Sequence, residues 1–553
     1  MAQQQPMETP AEEHWSSRVW PQLFPELAER IVGCLDRNNI SATFRHLNKA
    51  TAKHFSGPQH TIIRLMEPVP PHAFAAHWLA PGAMRGLTLE RRKKLVRLVA
   101  ASGVVQTVEL ALQAAGFTGA AAEAFKAAAG AGQLPVCQWL WDHSRFVDGL
   151  DAFCAEHALA TAARGGHRHV CEWLLTAHHR SRCDGAIRAA YCGAHMDLAE
   201  WLLEQYPAFD TANSKGMRCV ARGCDLATLQ RAWLRFRPAL ERERAAVLAA
   251  AAGSPTSDWA AKVEWLEAQG CIRTTRAAVW AAGMPNNDNE ALAHLTWLRG
   301  RGYPADVMAV VEAGRSGNMA ALQCVLAEVP ADANEELEDI EEAVLSAAEA
   351  GHLAAVQALQ AAGWPINGPS CAARAAEAGH LHALAWLLEG QWAQWAGPVV
   401  LDAELFSEAA RSASVELLAW LRQRGCSWDG KAYGSAARAG CQAALEWLAE
   451  QGCPMPDSGE PYLVACRNRD LATLRCLRRL GVPWGPDGRV LLEYTTGLGS
   501  MSLAAVMPML LWVLQEGYPV DREVVEEWLA RCWHSPRECA LLREHLGRRQ
   551  QSP

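Results

Sequence analysis

Nineteen histidines and eighteen cysteines give this 553-residue chain an ample stock of metal-ligating and nucleophilic side chains, and their spacing decides what chemistry they support. The densest group is Cys154, His157, His167, His169, Cys171, His178, His179 and Cys183. His167 and Cys171 stand four residues apart, so on one helix both would face the same metal ion. Two features weigh against that site. His167 follows a glycine in a Gly-His pair that recurs along the chain, where a turn accounts for it. Cys171 occupies an apolar position that related segments fill with Val263 and Leu384, where packing accounts for it. Cys324 and Cys476 also stand at packing positions and read as small buried hydrophobes. There is no Cys-x-x-Cys pair, P-loop, Gly-x-Ser-x-Gly elbow or His-Glu-x-x-His helix. The chain is therefore expected to be non-catalytic, with no metal and no cofactor.

Two charge runs carry weaker signals. Glu90-Arg91-Arg92-Lys93-Lys94 reads as a solvated helix start, with a nuclear localisation signal as the sharper alternative. Asp332 to Glu342 is rich in acids and reads as a solvated lead-in to a helix N-terminus, with docking of a basic partner as the alternative. The net charge of −8 provides no global attraction for polyanions, so nucleic acid is not an expected partner. The first residues, MAQQQPMETPAEEHW, carry early acids and no apolar run, which predicts a cytoplasmic or nuclear protein with reduced thiols. The apolar stretch from Met501 to Leu514 is too short to span a bilayer and contains Pro508, so no membrane span is expected.

The elements that would position any site are helices. Tryptophan, at 23, outnumbers phenylalanine and tyrosine together, and there are only eight isoleucines. A chain poor in β-branched residues and rich in Ala, Leu, Glu and Arg has little reason to form sheets, which predicts an all-α fold. The tryptophans recur. Segments such as AAEAGHLHALAWLLEGQ (375–391) and AARAGCQAALEWLAEQGC (436–453) align, and the position before their Leu cluster holds Trp139, Trp173, Trp201, Trp233, Trp265, Trp297, Cys324, Ala358, Trp386, Trp420, Trp447, Cys476 and Trp512. The period is about 31 residues. Each unit offers a small-residue face (Ala372, Ala375, Ala376), a Gly-His turn, and a second apolar stripe (Leu381, Leu384, Leu387, Leu388). Two such short helices bury their stripes only by stacking on neighbouring pairs, which predicts a solenoid of about 13 helix pairs. In that solenoid Trp173, Trp201, Trp386, Trp420 and Trp447 are expected to be buried between repeats.

The repeat resembles the ankyrin family in its Ala-Ala and Gly-His elements at His167, His352 and His380, in Gly-Cys closures (Gly270-Cys271, Gly425-Cys426, Gly452-Cys453) and in its spacing over roughly residues 93–547. It departs from that family in lacking Thr-Pro-Leu-His at the start of each unit. The resemblance implies a protein-binding concave surface. Residues 20–55 lack the repeat and resemble an F-box through Phe24-Pro25-Glu26-Leu27, Ile31, Leu35, Ile40, Phe44 and Leu47-Asn48-Lys49, without the usual later Trp. That resemblance implies an adaptor of a cullin–RING ubiquitin ligase that docks a Skp-type linker through Phe24, Pro25, Leu27, Ile31 and Leu35. The alternative is a plain ankyrin-repeat scaffold with this segment as a cap. A sphingomyelin phosphodiesterase-related hydrolase ranks last, because no Asp/Glu/Asn/His cluster for a catalytic metal is visible. The expected organisation is a disordered N-terminus (1–19), an F-box-like segment (20–55), a linker (56–92), a repeat solenoid (93–521) and a C-terminal helical cap and tail (522–553).

Overall fold

A computed structural model of the chain describes residues 25–544 apart from 48, 145–149, 151, 178–182, 207–213, 237–239, 285–287, 332–336, 390–397, 486–502, 518–525, 527–528 and 530–538. The described residues form helices and no strands, so the all-α repeat solenoid expected from the sequence is the observed fold. Thirteen helix pairs run from Leu89–Ala101 with Val105–Ala115 to Glu460–Arg467 with Leu471–Arg479, and the helix Leu503–Gln515 follows them. The periodicity had started its count at Trp139. The pair before it has no anchor tryptophan, because Val105–Ala115 carries Leu110 in that register.

Small residues dictate the curvature. The first helices of successive pairs meet through alanines, as in Ala120–Gly130 and Ala152–Arg164, where Ala121, Ala124, Ala128, Ala158 and Ala162 are fully buried. These helices stack closely along the whole array, whereas the second helices stand farther apart with leucines and tryptophans between them. A row of close contacts beside a row of wide ones bends the array, so the alanine-rich helices line the inside.

The bend brings the two ends together. The first pair rests on the twelfth and thirteenth. Ala472 N donates to Gly116 O at 2.8 Å, Thr118 N to Arg469 O at 3.0 Å, and Ala443 N to Arg85 O at 2.9 Å. Arg92, in the run read as solvated, is instead 1% exposed. Its guanidinium spans both Asp470 oxygens (3.1 and 2.5 Å) and donates to Ala115 O and Gly440 O, each at 2.9 Å. Asp470 caps its own helix through Thr473 N (3.1 Å) and the Thr473 hydroxyl (2.7 Å). Two glycines permit the close approach: a Cβ on Gly116 would lie 2.7 Å from the Ala472 Cβ, and one on Gly440 2.8 Å from the Leu89 Cβ.

The N-terminal segment folds as Pro25–Val32, Arg37–Ala42, a 3-10 turn at Phe44–His46, and Lys49–His54. Its core is Val32, Ile40 and Phe55 with Phe44 against them, and Leu27, Leu35 and Leu47 stay exposed. The buried side of the first helix thus includes Val32, one residue off the expected Leu27/Ile31/Leu35 stripe. Phe24 lies outside the described residues, as do the side chains of Pro25 and Ile31. Residues 56–92, expected as a linker, contain the helices Pro58–Thr61 and Pro71–Trp78. Val69 and Phe74 join the solenoid core, and Asn38 ties the head to this stretch through Arg64 O, Glu67 O and Pro68 O. Most of the expected cap, 522–553, lies outside the described residues; within it Leu529, Cys539 and Leu542 are buried.

Candidate functional site

The Cys/His patch is not assembled as a ligand set. The His167 ring lies where a Cβ on Gly132 of the preceding pair would be, His169 Nε2 sits 3.0 Å from Gly132 O, and His157 Nδ1 sits 2.9 Å from Phe153 O. His178 and His179 lie outside the described residues. Burial pushes the Cys171 thiol up to about 12 and Cys183 to about 11, so neither supplies a thiolate at neutral pH. Burial likewise lowers the pKa of His167, with His169 adding to the shift. No group of three or more His, Cys, Asp or Glu among the described residues is placed to hold a metal ion. Cys192 and Cys219 face each other across adjacent inner helices, with Cα atoms 4.5 Å apart.

The anchor tryptophans are packed, but not wholly buried as expected. Trp173, Trp201, Trp386, Trp420 and Trp447 are half-buried against the core on the outer helices. Arginines cover some of their open faces. Arg168 lies over Trp201 at 4.9 Å and Arg424 over Trp420 at 3.8 Å from the ring centroid.

The inner helices carry the feature that sequence reading passed over. Arg164, Arg188, Arg218, Arg222, Arg242 and Arg276 sit on the inner helices of five consecutive pairs, the third to the seventh, and none forms an ion pair among the described residues. In the eighth, tenth and eleventh pairs the inner-helix arginines meet carboxylates, whereas Arg438 and Arg467 in the twelfth and thirteenth form no ion pair among the described residues. Arg315 pairs with Glu312, Arg374 with Glu349 at 2.9 Å, and Arg411 with Glu377 at 3.3 Å and Glu408 at 2.6 Å. The third to seventh pairs thus hold the longest consecutive run of unpaired inner-helix arginines, and the eighth to eleventh hold paired ones. In the eleventh pair burial pushes the Glu408 carboxyl above its ordinary value, Arg411 opposes this, and Glu377 and Glu404 reinforce it. Within the unpaired run Arg222 lies 5.1 Å from the centroid of Trp280, a half-buried indole on the inner helix Arg276–Ala282. A hollow of about 580 Å³ opens in the same run, lined by Arg218, Arg242, Arg276, Glu241, Glu243 and Thr274 among others.

Comparison with known proteins finds no matching family model and no similar curated protein. Among solved structures, the pentatricopeptide repeat protein PPR10 from maize aligns over 96% of this chain and 82% of its own, at 14% identity and a TM-score of 0.25. The same protein in complex with an 18-nt psaJ RNA element aligns over 90% of this chain and 76% of its own, at 14% identity and a TM-score of 0.27. Overlays at these scores carry no ligand or activity to this chain. They do correct the reading of the repeat: the helical-repeat structures it aligns with are pentatricopeptide repeats and not ankyrin repeats. The alanine face and Gly-His turn are what any tight helical hairpin needs, and the element particular to ankyrin, Thr-Pro-Leu-His, is missing.

The F-box adaptor is likewise set aside, and with it the Skp-type partner and protein recognition as the assigned role, since no F-box model matches and nothing else points to a ubiquitin ligase. Leu27 and Leu35 are exposed, but exposed leucines at the edge of a small helical cluster specify no partner. The exclusion of nucleic acid is corrected as well. Two of the aligned structures, both of the same protein, were crystallised with RNA, and a net charge of −8 does not exclude nucleic acid because it averages over a local run of unpaired arginines.

Proposed function

We propose that the chain is a binding solenoid that takes an extended polyanion, single-stranded RNA, along the inner helices of its third to seventh pairs, and that it performs no chemistry on it. The observation that carries the reading is the run of six arginines without carboxylate partners on five consecutive inner helices, followed by pairs whose arginines Arg315, Arg374 and Arg411 meet carboxylates. Guanidinium groups left without carboxylate partners are available to anions, and a phosphate backbone offers one charge per nucleotide. Trp280 provides a flat apolar face of the kind on which unpaired bases stack.

The test is fluorescence anisotropy of a labelled single-stranded RNA against the full chain over a salt series. Binding should weaken linearly in log salt, with a slope of roughly −0.7 per phosphate neutralised. Arg188→Ala should lower affinity for all sequences and make the slope shallower. Binding that ignores salt, or a preference for an acidic peptide over the RNA, overturns the reading.

A further inference from the structure

We propose that the hollow between the inner helices Ser214–Gly223, Glu241–Ala252 and Arg276–Ala282 is a phosphodiester site with a base-reading edge, taking one nucleotide of a strand. The inference deepens the strand-binding reading and rests on it for the source of the ligand. Three cations, Arg218, Arg242 and Arg276, come from three successive helices and share this one hollow. None of them makes an ion pair among the described residues, and neither does Glu241 or Glu243 on the same wall. Three unpaired guanidinium groups and two unpaired carboxylates crossing one concavity without neutralising each other describe a site for a ligand that bears both kinds of complement.

The charges select the ligand class. Three arginines against two glutamates leave one positive charge, which a phosphodiester neutralises and a dianionic monoester overshoots. The carboxylates accept hydrogen bonds only, so they take donors close to the phosphate, a base N–H edge or the ribose 2′-OH. Guanine offers two adjacent ones, N1–H and N2–H2, which match a carboxylate in bidentate geometry; adenine offers no such pair. Thr274 adds an independent observation, because its hydroxyl is buried and has no hydrogen-bond partner among the described residues. It is a donor held in reserve on the lining of the hollow, and buried polar groups are rarely left so. Ile272, 44% exposed on the same lining, gives apolar surface beside the polar groups.

The experiment is calorimetric titration of the full chain with three probes: a guanine dinucleotide joined by one phosphodiester, its adenine counterpart, and inorganic phosphate. The guanine dinucleotide should bind best. Arg242→Ala and Arg276→Ala should each weaken it by about 10- to 100-fold, the loss expected for one charge-assisted hydrogen-bonding group. The double variant Glu241→Gln/Glu243→Gln should abolish the guanine preference and retain phosphate-dependent affinity. Arg242 and Glu241 are exposed at the start of their helix, so these variants are expected to fold, and thermal unfolding verifies this. Inorganic phosphate binding as tightly as the dinucleotide, or no effect of Arg242→Ala, overturns the inference. Strand binding that is lost in Arg188→Ala but unchanged in Arg242→Ala and Arg276→Ala overturns the hollow alone. Dinucleotide binding without strand binding overturns the strand reading and supports the hollow.

Discussion

Lys262 shows how a single charge is used to close a turn. It is fully buried, and its ammonium donates to Ala221 O and Cys224 O at 2.8 Å and to the Ser254 hydroxyl at 2.7 Å. Two acceptors at the end of one inner helix and a third just past the end of the next inner helix are thereby satisfied by one side chain from an outer helix. Burial lowers its pKa to about 8, with Asp258 opposing the shift. Because the folded value lies below the unfolded one, the unfolded chain binds more protons between about 8 and 10.5. The cost of holding the charge is therefore complete below pH 8 and is relieved as pH rises through that window. Relative to Lys262→Met, the wild-type unfolding free energy should increase from pH 8 to 10.5 in urea titrations; parallel curves would refute the assignment. At this scale the sequence was least legible. Its composition shows how many arginines there are, but not that Arg315, Arg374 and Arg411 meet carboxylates while Arg188, Arg218 and Arg276 do not. Arg315–Glu312 and Arg411–Glu408 follow an i,i+3 spacing that the sequence shows, but Arg374–Glu349 and Arg411–Glu377 are set across neighbouring helices, 25 and 34 residues apart, where no local pattern encodes them.

The helix pair was the most legible unit, because the period of small and large residues is what forces the pair to form. The Gly-His signature proved to be a contact between units as well as a turn within one. Gly132, Gly166, Gly317 and Gly351 adopt left-handed φ values of 69–77°, and a Cβ on any of them would fall about 2.5 Å from the ring of His167, His195, His352 or His380 of the next pair. The histidine thus serves as a spacer that reads the preceding glycine. Gly363 is also left-handed, at φ 84°, but a Cβ there would meet nothing within 4 Å. Gly363→Ala should therefore cost only the conformational penalty of about 1–2 kcal/mol. Gly166→Ala should cost more, and His195→Ala should recover part of the excess in a double-mutant cycle. Equal losses at the two glycines would show that the ring contact contributes nothing. The outer-helix tryptophans act at the same scale. Trp420 is half-buried with Arg424 over its face, so Trp420→Ala should cost about 2 kcal/mol, less than the 3–5 expected of a fully buried indole. A loss at the upper end in chemical denaturation would mean that the ring is closed in solution.

At the scale of the molecule, the solenoid is defined by where it meets itself. Nothing in the repeat announces this, since closure depends on small increments of curvature summed over a dozen pairs, and the residues that meet, Arg92 and Asp470, are 378 apart in sequence. The buried pair is largely satisfied, with carbonyls of Ala115 and Gly440 accepting from the two terminal guanidinium nitrogens and the Thr473 hydroxyl donating to the carboxylate, while Arg92 Nε is buried without a partner among the described residues. Such a pair contributes little net stability but is costly to break from one side, about 3–5 kcal/mol, because the survivor is left charged in a dry site. Asp470→Ala should therefore open the contact between the first and thirteenth pairs more than it unfolds either. Arg85→Ala removes a partner of Glu446 in the same contact that is half exposed, and its effect should be small. Gly440→Ala, which places a methyl 2.6 Å from an Asp470 carboxylate oxygen and 2.8 Å from the Leu89 Cβ at a left-handed position, should wedge the same contact without removing a charge. Small-angle scattering checks the set: a larger radius of gyration in Asp470→Ala and Gly440→Ala, with helicity retained and Arg85→Ala unchanged, is the expected pattern. The arginine arc lies in pairs three to seven, away from the closure, so opening should speed strand association while leaving the salt slope of binding intact. A slope that changes with opening would place phosphate contacts at the closure itself and shift the binding surface from the arc to the joint.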